Sequence, residues 1–198
     1  MYYIFYAFFY LLSLLPWRVF YIISDFFAFI LQYVVKYRVD VVAKNLAIAF
    51  PDKSVAERKK IANAFYQKFT DSFVETIKFI SISTREYEKR FTSNVEVLND
   101  LYDTGQSVQI MAGHFFNWEY ANWGVAKYGK YPFLAVYMPL SNGFFDKMIL
   151  QMRARFGSIM IPATQFKSQF HQYANKGPYV MALAADQNPS NPMKAFWV

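Results

Sequence analysis

Residues 107–119 read SVQIMAGHFFNWE. Ser107–Ala112 is a compact apolar run that reads as a buried strand. Gly113 ends it, and residues 118–127 turn helical. Working outward, the alternation repeats. Residues 132–138, PFLAVYM, read as a strand, 144–155 as a helix, and Ser158–Ile161 as a short strand. Residues 164–175 read as a helix stopped by Gly177-Pro178, and Tyr179–Ala185, YVMALAA, as another buried strand. Upstream, Val95 and Val97 suggest a short strand, with Gly105 marking a turn. Alternating strands and helices predict an α/β fold with a mostly parallel central sheet flanked by helices.

The N-terminal part is different. Residues 1–17, MYYIFYAFFYLLSLLPW, carry no charge. They lack the basic region and small-residue cleavage site of a signal peptide. They fall slightly short of the ~20 apolar residues that span a bilayer. A second apolar stretch, 19–35, follows Pro16. Its polar residues Arg18, Asp25 and Gln32 are seven apart and form one narrow stripe on a helix, with Lys36 a turn beyond. Such a helix suits the bilayer surface, packing on the domain that follows, or a buried core. Lys36, Arg38 and Lys44 then place the following domain on the cytoplasmic side. Residues 39–50 read as a helix stopped by Pro51. Ser54-Val-Ala-Glu57 is a capping box opening a long amphipathic helix to about Ile80, with Ile61, Phe65, Phe69, Phe73 and Ile77 on its apolar face. Ser83-Thr-Arg-Glu86 is a second capping box. This divides the chain into an anchoring segment, 1–38, and an α/β domain, 39–198.

Composition narrows the function. The chain has 198 residues, 55% hydrophobic and 21% aromatic, so it has ample apolar surface to fold. It has no cysteine, which excludes disulfides, thiolate nucleophiles and iron–sulfur clusters. Two histidines leave little room for a metal site. The net charge of +7 suits an anionic membrane or an acidic protein. Nucleic acid is disfavoured, because the basic residues are dispersed and the aromatics sit in apolar runs.

The chemistry concentrates at Gly113–Glu119. With His114 in the loop and Asn117 capping the helix, Glu119 sits in the first turn, where a carboxylate is favoured. It is then placed to accept from one imidazole nitrogen, leaving the other as a base. That is the base and orienter of a triad without a protein nucleophile, and it suits activation of a substrate hydroxyl. By spacing alone, a histidine that caps a helix or fills a core gap accounts for the pattern equally well.

The longer string Gly113-His-Phe-x-Asn-Trp-Glu119 resembles the signature of the bacterial lipid A late acyltransferases, within the lysophospholipid acyltransferase superfamily. The apolar N-terminus, Lys44-Asn45-Leu46 before Phe50-Pro51, and the long helix after it are also similar to that family. So are Arg153-Ala-Arg155-Phe-Gly157 before Ile161-Pro162, and Ala185-Asp186-Gln187. In detail the chain is most similar to members from the Bacteroides group.

The resemblance implies a glycerolipid acyltransferase-like fold without a cofactor. It implies transfer of an acyl chain from an acyl carrier protein thioester to a hydroxyl of a lipid A precursor, at the cytoplasmic face of the inner membrane. It makes His114 the general base and Glu119 its orienting acid. Arg153 and Arg155 become a grip on substrate phosphate or donor, with Asn117, Asp186 and Gln187 also binding substrate. Two arginines two apart diverge on a helix but meet one phosphate from a loop. Tyr137-Met138-Pro139 stands where some members carry Tyr-Arg-Pro. The apolar AFWV ending and the family's greater length lead us to expect further chain beyond residue 198. The alternatives are a glycerolipid acyltransferase, which usually has Asp in place of Glu119 and a later Glu-Gly-Thr, and an inactive membrane-bound fragment.

Overall fold

A computed structural model describes residues 2–115, 117–184, 186 and 193. The chain forms two compact units, Met1–Ile82 and Ser83–Val198.

In the first unit, α1 (Tyr2–Ser13) stops ahead of Pro16, whose ring disfavours helix in the residue before it. Carbonyls at the end of α1 and in the turn that follows it are satisfied by α4 (Val55–Lys78) and the turn after α4. Lys78 Nζ donates to the Ser13 and Leu15 carbonyls at 2.7 and 2.6 Å, and the Ser81 hydroxyl donates to Ser13 at 2.9 Å. A helix end among apolar neighbours would otherwise leave those oxygens unpaired. Next, α2 (Trp17–Phe29) runs into a π-helical turn, Ile30–Val34. By length and composition, Trp17–Val34 is long and apolar enough to cross a membrane.

The stripe expected on this helix divides. Arg18 and Asp25 are exposed, whereas Gln32 donates to Asn63 on α4 at 2.7 Å. The seam against α4 is completed by Tyr21, which donates to Glu75 at 2.7 Å, and by Ser24, 2.7 Å from Asp71. Asp71 and Glu75 are buried, and the hydroxyls satisfy carboxylates that burial would otherwise penalise. Phe5, Phe8, Ile22, Phe26 and Phe29 remain exposed. α3 (Val39–Ala49) follows Arg38, which is left-handed at φ 52°. The capping box of α4 is present in both directions: Glu57 N–H donates to the Ser54 hydroxyl, and Ser54 N–H donates to the Glu57 carboxylate.

In the second unit, α5 (Thr84–Glu88) opens on Ser83, which accepts from Glu86 N–H; the Glu86 carboxylate is engaged by Arg90. The strand expected at Val95 and Val97 is instead the start of a helix, α6 (Glu96–Tyr102). The decisive period is 3.6, not 2. Val95 is buried, Leu98 and Tyr102 follow at three and seven residues and pack inward, and Val97 is exposed.

Strands β1 (Val108–Ala112), β2 (Phe133–Tyr137), β3 (Ile159–Pro162) and β4 (Val180–Ala184) form a parallel sheet in the order β1-β4-β2-β3. Helices α7 (Trp118–Tyr128), α8 (Gly143–Ala154) and α9 (Phe166–Ala174) occupy the connections, since parallel strands need long crossovers. Successive side chains serve opposite faces. Phe133 and Val180 pack with Tyr131, Leu98 and Val125 on one side. Leu134 and Met181 pack with Ile161, Phe166 and Phe170 on the other. The interior strands are therefore apolar throughout. β1 departs from the expected burial: it lies at the edge of this order, and its Gln109 and Met111 are exposed.

Candidate active site at the ends of β1 and β4

The register sets Ala112 of β1 level with Ala184 of β4. His114 and Asp186 each lie two residues past those partners, so the two loops carry them side by side. This is the carboxyl edge of a parallel sheet, where such folds place ligands. One carboxylate then makes two contacts. His114 N–H donates to Asp186 Oδ2 at 2.7 Å, and His114 Nδ1 lies 2.7 Å from Asp186 Oδ1. These bonds hold the Asp186 carboxyl below its usual range, the backbone donor contributing most and the ring next. Gly113 permits the approach, because a Cβ there would stand 3.3 Å from Asp186 Oδ2 and within 3 Å of the Phe115 ring. The Trp118 ring meets the imidazole edge-on, 5.4 Å between centroids at 82°.

The partner expected for His114 was Glu119, and the geometry is otherwise. Asn117 caps α7, as its place in the sequence suggested, accepting from Glu119 N–H at 3.1 Å. The Glu119 residue, 2% exposed, points its carboxylate into the protein. Arg153 takes it as a bidentate pair, with Nε 3.0 Å from each oxygen and Nη2 on Oε1. The physical reason is direction. Glu119 belongs to the buried face of α7, with Tyr120 and Trp123, whereas His114 is exposed in the preceding loop.

Arg153 and Arg155 do not converge on one point. Arg153 lies in the last turn of α8 and is half-enclosed by its pairing with Glu119. Arg155, the C-cap, lies over the Trp123 and Phe156 rings at 5.2 and 5.3 Å. Two further α7 side chains reach α8. Asn122 Nδ2 donates to the Arg153 carbonyl and Trp123 Nε1 to the Met152 carbonyl, each at 3.2 Å. Gln187 lies outside the described residues. Among the described residues, no three His, Asp or Glu side chains gather as a metal-ligand set.

An imidazole whose Nδ1 faces a carboxylate carries its proton there and presents Nε2 as the acceptor. Such an arrangement is chemically able to take a proton from a hydroxyl. The family model for bacterial lipid A biosynthesis acyltransferases matches residues 1–195. The chain belongs to that family. No curated protein matches it. As a member of the lipid A acyltransferases it is an acyltransferase of lipid A biosynthesis. In this acyltransferase, Trp118 stands in the motif without an assigned role, and Asn122 and Trp123 lie beyond it, yet Trp118 meets the His114 ring and the other two bond to α8. The available signal was position: all three lie in the first two turns of the helix that follows the His114 loop.

Proposed function

We propose that the protein transfers a fatty acyl chain from an acyl carrier protein thioester to a hydroxyl of a lipid A precursor, at the cytoplasmic face of the inner membrane. The observation that carries this reading is the His114–Asp186 contact at the carboxyl edge of the sheet, in a chain of this family. The acceptor oxygen attacks the thioester carbonyl carbon while His114 Nε2 takes the hydroxyl proton. The imidazolium is stabilised by the Asp186 carboxylate and holds the proton. Collapse of the tetrahedral intermediate breaks the C–S bond, and the departing thiolate recovers that proton. The thioester is already activated, so the residues need supply only the base, its orienter and donors for the oxyanion. Backbone N–H groups at the start of α7 are the candidates for those donors.

Two further features support the setting. The exposed Phe and Ile side chains of α1 and α2 suit an apolar medium. The +7 charge suits an acidic carrier protein. The test is transfer in vitro by the purified protein, from acyl carrier protein or coenzyme A thioesters, to a tetra-acylated lipid A precursor. A product one acyl chain heavier, formed faster from the carrier-protein thioester, is expected. Acylation of a lysophospholipid but not of the lipid A precursor would overturn the reading.

A further inference from the structure

The signature glutamate has its own partner, and that partner is not the histidine. Glu119 and Arg153 form a bidentate pair whose side chains are 3% and 20% exposed. Around it, Asn122 and Trp123 donate to the Arg153 and Met152 carbonyls in the last turn of α8. Three side chains of α7, at positions 119, 122 and 123, thus grip the final turn of α8. Trp123 is fully buried against Phe156, with ring centroids 4.0 Å apart. The first turn of α7, at the start of this grip, also presents Trp118 to the His114 ring.

We infer that Glu119 and Arg153 act as one positioning unit: the pair locks the start of α7 to α8, and so sets the Trp118 wall and helix N-terminus against which His114 works. Glu119 acts on the reaction through Arg153 rather than by orienting the imidazole, a task the geometry gives to Asp186. Arg153, committed to a buried carboxylate, is not the phosphate grip. This rests on the reading of His114 as the base. A bidentate guanidinium fixes both distance and angle, which a lysine point charge does not.

A double-mutant cycle of E119Q and R153Q tests this in the full chain in detergent, scored as kcat and KM per folded molecule. Each single variant should lower kcat by roughly 10²-fold, the scale of a small misplacement of reacting groups, with KM little changed. The double variant should be no slower than either single one, because the pair fails as a unit. R153K should not restore kcat. If either single variant fails to fold because it leaves a buried charge unpaired, the neutral double variant still folds and carries the kcat test. The second readout is independent of activity. The chain has two histidines, so selective ¹⁵N-histidine labelling resolves the His114 ring. Its Nδ1 signal should persist in E119Q and R153Q and change in D186N. Multiplying effects in the cycle, a His114 ring altered by E119Q, or normal kcat per folded double variant would overturn the inference. Persistence of activity in H114A would instead remove the base assignment itself, leaving the labelling result to stand separately.

Discussion

At His114 a single carboxylate binds the loop through the backbone N–H and the ring through Nδ1. A ring held at one nitrogen has its other nitrogen aimed, and aim is what a general base requires. D186N keeps the size of the side chain but removes the charge and lets an amide N–H face Nδ1. It should lower kcat by roughly 10²-fold or more in steady-state transfer assays, and activity within a few-fold of wild type would contradict the orienting role. Since the Asp186 carboxyl is held below its usual range, its contribution to stability is fully present above the unfolded-state value, about 3.9. It is lost as the pH falls through the lowered folded value. The His114 amide proton should accordingly keep its hydrogen-bonded, downfield chemical shift down to about pH 4 and move upfield as Asp186 takes a proton below that, in nuclear magnetic resonance spectra. His114 itself and the Asn117 cap were legible in the sequence, because a strand-to-helix handover and a capping residue are local patterns. The partner of His114 was not, because spacing along one helix says nothing of what a neighbouring strand delivers seventy residues later in the chain.

The elements repeat this division between local and distant information. Capping at Ser54 and Ser83, the alternation of strands and helices, and the stops at Pro16 and Gly177-Pro178 depend on neighbours in sequence, and they were readable. The order β1-β4-β2-β3 depends on which crossover returns beside β1, and it alone makes β1 an edge and Asp186 a neighbour of His114. α6 was misread because two valines flanking Glu96 mimic a strand until Leu98 and Tyr102 are counted. α7 carries a sharper packing prediction. Tyr87, 1% exposed, donates its hydroxyl to the Tyr120 carbonyl at 2.7 Å. A Cβ on Gly124 would stand 2.8 Å from that hydroxyl and 3.0 Å from a Phe91 ring carbon. Alanine gains about 1 kcal/mol of helix propensity over glycine. Overpacking a closed site costs roughly 1–3 kcal/mol, and a hydrogen-bonded, buried tyrosine gives little ground. G124A should therefore destabilise the protein by about 1 kcal/mol, read as a lower denaturant midpoint; a raised midpoint would contradict the packing.

For the whole molecule, apolar surface and charge make separable predictions. The exposed aromatic and aliphatic side chains of α1 and α2 interact by a force that salt does not screen, whereas the +7 charge is screened within about 10 Å at 0.1 M salt. Membrane fractions washed at 1 M salt should retain the protein, while transfer from an acidic acyl carrier protein, the donor proposed above, should slow as salt rises. Release of the protein by salt would show that charge alone holds it. The central claim is that His114 is the base of an acyl transfer, and turnover of H114A, normalised to folded, membrane-bound protein, tests it most directly. A fall of roughly 10²–10⁴ is expected, with the folded amount unchanged. Near-wild-type turnover, or a loss confined to the amount of folded protein, would contradict it.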